Sequence, residues 1–207
     1  DLVADLPARR VFRERLSDLG LTLDLAYPFT LAGKTDMAAL LPAIECAAQL
    51  DARRINVLVY DRDAARREDR FSALCEVADG FGLGVAVEFF PASQVRTLAE
   101  ALDLVTPLAR PGRVGINADL LHLVRSGSSS QDLAAAPPGT ILLGQVADGP
   151  LVRPEAEWAE EASGQRLVPG EGSFDIAGFI HALPDGCPLS VEVPRDAQMR
   201  AGVPRRQ

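Results

Sequence analysis

The sequence contains few of the residues from which many functional sites are built. It has two histidines, His122 and His181, so a zinc site with three histidine ligands is excluded, and no HExxH protease motif is present. Its three cysteines lie far apart and form no CxxC pair, which argues against a disulfide scaffold. We therefore expect reduced thiols and a cytoplasmic location.

Charge and hydropathy exclude two further classes of partner. The chain has 29 acidic and 21 basic residues, and this acidic balance is unfavourable for binding nucleic acid phosphates. No apolar run approaches the roughly 20 residues that cross a bilayer. Hydrophobic residues make up 47% of the chain, which is typical of a folded domain. We expect a globular protein that binds neither nucleic acid nor a membrane.

Patterns typical of strands and helices alternate along the chain. Strands are predicted at 21–29, 55–60, 85–90, 114–119, 141–147 and 189–193. Helices are predicted at 8–19, 37–50, 68–81, about 94–104, 154–162 and 176–183. Asp36 is expected to cap the second helix, and Pro28 to end the first strand, because proline cannot donate a ladder hydrogen bond.

This strict alternation predicts an α/β protein with a parallel sheet. An open, doubly wound sheet fits the six strands, but its nucleotide-binding fingerprint is absent, since Gly80, Gly82 and Gly84 precede a strand instead of following one. A (β/α)8 TIM barrel that lacks its first strands is the alternative. No helix-length apolar pattern follows Val193. We therefore expect a single domain over residues 1–207 that is incomplete at both ends.

Four predicted strands place an oxygen-bearing side chain at or near their carboxyl ends. These residues are Glu88, Asp119, Gln145 and Glu192. In a parallel sheet they would converge, and buried carboxylates that converge repel each other unless a cation or an arginine neutralises them. An oxygen-only ligand set suits Mg²⁺ or Mn²⁺ better than zinc. Independent solvated strand ends, or pairing with arginines, remain the alternatives.

Three further residues are candidates for the same site. His122 follows Asp119 by three residues and can lean over the pocket. Arg166 is a candidate clamp for a phosphate or carboxylate of the substrate, or else part of a surface salt bridge. Glu171, in the PGEG turn, points either into the site or into water. His181 lies in a predicted helix away from the strand ends, and we interpret it as structural.

Five stretches together resemble the xylose isomerase-like TIM-barrel superfamily, which contains sugar isomerases and epimerases, endonuclease IV and 3-dehydroshikimate dehydratases. They are VAVEFF with Glu88, the D-x-x-H of 119–122 followed by RSG, QVADGP with Gln145, RLVPGEGSFD at 166–175, and PLSVEVP with Glu192. Their order and separations match from about residue 21 to residue 194. The resemblance implies that the six strands are the third to eighth of the barrel, with the first two strands and the final helix absent.

The resemblance also implies a metal ion held by Glu88, Asp119, Gln145 and Glu192. Many relatives have histidine where Gln145 stands. Bacterial 3-dehydroshikimate dehydratases are similar to this chain here, with a QxxDxP stretch followed by PGxGxFD. Endonuclease IV is set aside, because its three-zinc site needs several histidines.

The implied activity is that of a divalent-metal-dependent sugar or sugar phosphate isomerase or epimerase, acting by proton transfer through a metal-stabilised enediolate. Glu88 and Glu192 would accept and return the proton, His122 would bind or protonate a substrate oxygen, and Arg166 would hold an anionic group. A lyase of the 3-dehydroshikimate dehydratase type is the alternative, and a non-catalytic barrel with a decayed site is the second. The expected partner is a small carbohydrate or hydroxy-keto substrate, and homo-oligomerisation is left open.

Overall fold

Six parallel strands form one sheet in which each strand pairs with the next one along the chain. The structure is a computed structural model that describes residues 1–108, 110–196 and 200–202. The strands are β1 (Leu25–Leu31), β2 (Arg54–Val59), β3 (Gly84–Glu88), β4 (Val114–Asp119), β5 (Ile141–Val146) and β6 (Leu189–Val191). Sequential parallel order is that of a (β/α)8 barrel, whereas the order of a doubly wound sheet reverses at a switch point. The barrel prediction is confirmed, and the doubly wound alternative is wrong.

Helices alternate with the strands, as predicted. They are α1 (Leu6–Asp18), α2 (Met37–Gln49), α3 (Ala64–Gly80), α4 (Leu98–Val105), α5 (Leu120–Arg125), α6 (Ser130–Ala134), α7 (Trp158–Gly164) and α8 (Ile176–Ala182), with 3-10 turns at Thr106–Leu108 and Glu155–Glu157. The Asp36 cap is confirmed, since its carboxylate accepts the backbone N–H of Ala38. None of the described helices combines the length and apolarity needed to cross a membrane.

The prediction that Pro28 ends the first strand is wrong. Strand β1 continues to Leu31, and its pairing with β2 skips in register between Ala26 and Phe29. Proline has no N–H for the ladder, so the strand bulges at this point and then resumes pairing. The irregularity is local, because regular pairing with β2 resumes from Phe29 to Leu31.

Several helix boundaries depend on capping that the apolar pattern does not reveal. Helix α3 begins four residues before its predicted start, because the Asp63 side chain accepts the N–H of Arg66. The short helix α6 was not predicted, and it is held by a capping box between Ser129 and Asp132. Helix α5 was also missed, and its cap is Asp119.

Strands β3, β4 and β5 form the most deeply buried part of the sheet. Every residue of β3, β4 and β5 is buried, whereas β1 and β6 have exposed positions. Large apolar side chains such as Phe71, Phe89 and Ile116 are sealed from solvent in the same core. Burial on both faces explains why these strands read as continuous apolar runs. It also means that polar side chains near their ends are held by a tightly packed scaffold.

Strand β4 approaches β5 closely at Gly115. A Cβ at this position would lie 2.2 Å from the carbonyl oxygen of Thr140 and 2.7 Å from Cγ of Leu142. A backbone atom cannot move aside as a flexible side chain can, so this contact requires glycine. The close approach sets how the central strands pack beneath the site.

Replacing Gly115 with alanine should lower the free energy of unfolding by roughly 1–3 kcal/mol, because the added methyl group overpacks a rigid contact. Gly80→Ala is the matched control, since nothing lies within 4 Å of the added Cβ at the end of α3. There we expect no loss, or a gain of up to about 1 kcal/mol. Urea unfolding followed by circular dichroism measures both, and equal stability of the two variants would contradict this account.

Candidate metal centre

The sheet register brings the predicted ligands to one end of the barrel interior. Glu88 ends β3, Asp119 ends β4, and Gln145 is the second-last residue of β5. Asp119 is the register partner of Gln145, and Glu88 is the register partner of Asn117, two residues before Asp119. Side chains alternate between faces along a strand, so these groups share one face. Glu192 directly follows β6, and its backbone N–H bonds to the Val146 carbonyl at 3.1 Å.

Glu88, Asp119 and His122 form a compact cluster of potential ligands. One ligand atom from each lies within 4.8 Å of the others, and all three residues are buried. The Nε2 atom of His122 lies 3.5 Å from Oε1 of Glu88. Asp119 caps α5 by accepting the His122 backbone N–H at 3.1 Å, and this cap places His122 in the first turn of the helix, beside the end of β4. His122 is predicted from the sequence to act on the substrate, and its position also suits a metal ligand.

Arg166 bonds to two of the four predicted ligands at once. Its Nη1 lies 2.5 Å from Oδ2 of Asp119, and its Nη2 lies 3.0 Å from Oε2 of Glu192. Its Nε donates to the Ala162 carbonyl at 3.0 Å, which fixes the guanidinium plane. The side chain is 3% exposed, so the alternative of a surface salt bridge is wrong. Arginine pairing, one of the alternatives for the carboxylates, is present at Asp119 and Glu192.

The two carboxylates that share Arg166 differ in proton affinity. Burial raises the pKa of Asp119, but the charges of Arg166 and His122 outweigh burial and hold that pKa below its ordinary value. Burial raises the pKa of Glu192 too, and the attraction of Arg166 does not compensate, because Asp119 and Glu88 add repulsion. Mainly because of the Glu192 charge, the pKa of Tyr27 is also raised. The site therefore keeps Asp119 ionised beside a carboxyl group that binds protons more readily.

Two asparagines that sequence analysis missed connect Glu88 to Gln145. Nδ2 of Asn56, in β2, donates to Oε2 of Glu88 at 2.5 Å. Nδ2 of Asn117, in β4, donates to Oδ1 of Asn56 at 3.2 Å and also to Oε1 of Gln145. The signal was present in the sequence, since INVLV and VGINAD each place an amide inside an apolar strand.

The side chain of Asp148 stabilises the loop that follows Arg166. Its buried carboxylate accepts four backbone N–H groups at 2.8–3.0 Å, those of Gly149, Gly170, Gly172 and Phe174. Burial raises the pKa of Asp148, but these four donors outweigh burial and lower the pKa overall. The QVADGP and PGEGSFD stretches therefore form one structural unit.

Glu171 is exposed at the outer side of this loop. Its Oε2 accepts the Val168 backbone N–H at 3.3 Å and lies 3.4 Å from Nη1 of Arg195. The structure does not bring it into the described cluster of Glu88, Asp119 and His122. His181 is likewise exposed, and its Nδ1 lies 2.7 Å from the Ala177 carbonyl in α8, in line with a structural role.

A buried ion pair fixes α7, which comes just before Arg166, against α5. Nε and Nη2 of Arg125 bind the two carboxylate oxygens of Glu161 at 2.7 and 2.8 Å. The same guanidinium donates to the carbonyls of Pro150 and Leu151, on the chain that leaves β5. The segments beyond β4 and β5 are therefore tied together beside the site.

A cavity of about 270 Å³ adjoins the ligand cluster. Its polar lining consists largely of Tyr27, Asn56, Glu88, Gln145 and Glu192. The remaining lining includes leucines of β1, β5 and β6. Glu88 belongs both to this lining and to the cluster with Asp119 and His122, whereas Gln145 and Glu192 line the cavity and Glu192 lies outside the described cluster. Carboxylate, imidazole and amide oxygen donors of this kind fit a divalent cation. A small polar molecule in the cavity would lie beside these donors.

Comparison with known proteins places the chain in a family. Residues 3–206 match the family model described as xylose isomerase-like TIM barrel, and the chain belongs to this family. A curated relative, the 3-dehydroshikimate dehydratase of Pseudomonas aeruginosa, is 33% identical over 133 residues. That match covers 62% of this chain and 20% of the relative, so this chain corresponds to a small part of that protein.

Solved structures with low sequence identity share the fold. A xylose isomerase-like TIM barrel/4-hydroxyphenylpyruvate dioxygenase fusion protein has a TM-score of 0.80 at 23% identity, covering 96% of this chain and 33% of that one. The IOLI protein, whose crystal structure includes a zinc atom, has a TM-score of 0.73 at 18% identity, covering 91% of this chain and 74% of that one.

Replacing Asp148 with asparagine should lower the free energy of unfolding at pH 7 by roughly 2–3 kcal/mol, because an NH₂ group would face backbone N–H donors. The native carboxyl has a lowered pKa, so its contribution is present above the unfolded pKa of about 3.9 and is lost as pH falls through the folded value. The difference between the two proteins should therefore shrink at low pH. Urea unfolding at pH 7 and at low pH measures it.

Asp132→Asn is the control for this experiment. Asp132 also has a lowered pKa, but it is exposed and its partner is Ser129 of the α6 cap. We expect a smaller loss of stability from this change. An equal loss in both variants would contradict the role given to the Asp148 loop.

Proposed function

We propose that this chain carries the active site of a divalent-metal-dependent lyase that dehydrates a hydroxy-keto acid of the 3-dehydroshikimate type. The observation that carries the proposal is the convergence of Glu88, Asp119 and His122 within 4.8 Å at the carboxyl ends of barrel strands. The 33% sequence identity with the Pseudomonas aeruginosa dehydratase over 133 residues supports this choice of reaction. Gln145 supports it as well, since this residue is the point at which the chain resembles bacterial dehydratases.

Glu88, Asp119, Gln145 and Glu192 would hold the cation. A divalent cation supplies positive charge that stabilises the negative charge developing on the substrate oxygens. Four oxygen donors favour Mn²⁺ or Mg²⁺, whereas participation of His122 would also suit zinc, the atom named for the IOLI protein. Arg166 bonds to Asp119 and Glu192, and it would be drawn towards a substrate carboxylate beside them.

Glu192 is the best placed proton acceptor. It lines the cavity and its side chain is 27% exposed, whereas Asp119 is sealed from solvent. In the proposed reaction Glu192 takes the proton from the carbon next to the carbonyl, and the C–H electrons form the enolate. The enolate then expels the hydroxyl from the β-carbon, and His122 donates the proton that converts it to water. Substrate therefore yields the unsaturated product and one water molecule.

The second candidate is a sugar or sugar phosphate isomerase or epimerase. It is favoured by the presence of two carboxylates, Glu88 and Glu192, on the same cavity. One would remove the proton and the other would return it, either to the neighbouring carbon or to the opposite face of the same carbon. The two candidates share the proton removal and differ in whether a hydroxyl leaves.

Incubation with 3-dehydroshikimate and Mn²⁺ should give an aromatic product, which is followed by ultraviolet absorbance. Glu192→Gln should lower the rate at least about 100-fold, because it removes the proton acceptor and keeps the shape of the side chain. The control is Glu45→Gln, an exposed residue of α2 that should leave the rate unchanged. Turnover of a ketose or aldose without aromatic product would reject the lyase in favour of the isomerase.

Chelation should abolish the activity, and added Mn²⁺ should restore it, since the converging carboxylates need a cation to act together. Elemental analysis of the purified protein, before and after loading with Mn²⁺, Mg²⁺ or Zn²⁺, identifies the ion. Failure to retain any of the three would overturn the metal centre and leave the non-catalytic barrel as the better description.

A further inference from the structure

We propose that Asn56 and Asn117 are positioning residues that set the orientation of the Gln145 amide in the metal centre. This inference rests on the proposed function, because it treats Gln145 as a ligand through its carbonyl oxygen. A glutamine amide has one oxygen, which can bind a cation, and one NH₂ group, which cannot. Something must therefore turn the oxygen in the required direction.

The hydrogen bonds between these residues form a relay with a defined direction. It runs from Glu88 to Asn56, from Asn56 to Asn117, and from Asn117 to Gln145. The four side chains come from the adjacent strands β2, β3, β4 and β5, and the register places them on one face. Both asparagines are buried, with 2% exposure for Asn56 and 0% for Asn117.

The Glu88 carboxylate determines the direction of the relay. An ionised carboxylate only accepts hydrogen bonds, so Asn56 must turn its NH₂ towards Glu88 and its oxygen towards Asn117. Asn117 must then turn its NH₂ towards Asn56, and its second N–H reaches the Gln145 oxygen. Reversing any one amide would bring two oxygens or two NH₂ groups together. The orientation of the Gln145 amide is therefore coupled to the Glu88 carboxylate, two strands away in the sheet.

Packing alone does not account for the two amides. Oδ1 of Asn117 is buried and accepts no hydrogen bond from any described residue, and an unpaired buried acceptor is destabilising. An apolar β-branched side chain would fill an interior strand position without that cost. The relay explains why Oδ1 of Asn117 is unpaired. Both N–H groups of Asn117 donate, one to Oδ1 of Asn56 and one to Oε1 of Gln145, and neither of these oxygens can donate a hydrogen bond to Oδ1 of Asn117.

The consequence is specific to an amide at position 145. The Gln145 oxygen has two lone pairs, so one can accept from Asn117 while the other remains available to a cation. Without Asn117 the amide can rotate and place its NH₂ group at the cation, which would repel it. A carboxylate has two equivalent oxygens, so its orientation would not matter.

A double-mutant cycle on Mn²⁺ binding tests the relay. Mn²⁺ dissociation constants are measured by isothermal titration calorimetry for the wild type, Asn117→Leu, Gln145→Glu and the double variant. We expect Asn117→Leu to weaken binding about 10-fold in the wild-type background, as is usual for partners that orient a ligand. In the Gln145→Glu background the same change should alter binding at most about two-fold.

Ile116→Val is the matched control, because Ile116 lies in the same strand with its side chain in the apolar core, and it should leave Mn²⁺ binding unchanged. Circular dichroism checks folding, and Asn117→Thr, which keeps one donor with a shorter reach, replaces Asn117→Leu if that variant does not fold. If Asn117→Leu weakens Mn²⁺ binding equally in both backgrounds, or does not weaken it in the wild-type background, the relay is wrong but the metal centre stands. A wild-type protein that binds no Mn²⁺ would overturn the metal centre and the relay together.

Discussion

Burying several carboxylates at one end of a parallel sheet is the constraint on which the rest of this structure depends. The register places Glu88 and Asp119 on the same face of neighbouring strands, and the chain after β6 adds Glu192. Such a group is stable only if positive charge or hydrogen-bond donors compensate it. Arg166 supplies the charge and Asn56 supplies a donor, and both are held by buried segments of the fold.

Much of the surrounding structure serves to hold Arg166 in place. The Asp148 carboxylate binds the backbone of the glycine-rich loop that follows Arg166, and the Arg125–Glu161 pair fixes the helix that comes just before it. Neither acidic residue is in the cluster of potential ligands. Conspicuous charged residues near the candidate site can therefore be structural, and their role depends on whether their partners are backbone groups, an arginine or potential ligands.

Gln145 lies near a strand end of the family's barrel and is hydrogen-bonded to a buried asparagine. Residues 3–206 match the xylose isomerase-like TIM-barrel family, to which this chain belongs, and Gln145 lies near the end of β5 in that barrel. A glutamine amide is directional, because only its oxygen can bind a cation, and the hydrogen bond from the buried Asn117 orients the amide of Gln145.

Local sequence determined the six strands, most of the helices and the four residues at the strand ends, because apolar periodicity and strand termini are properties of neighbouring residues. It did not reveal that Pro28 lies inside β1, that Asp63 starts α3 early, or that α5 and α6 exist, since these depend on single capping and register contacts.

Tertiary structure alone decided that Arg166 binds Asp119, 47 residues earlier, and that His122 faces Glu88. It alone decided that Asn56 and Asn117 meet across the barrel, 61 residues apart. The physical reason is that these partners are chosen by strand register and by helix packing, and neither can be read from any one segment of the chain.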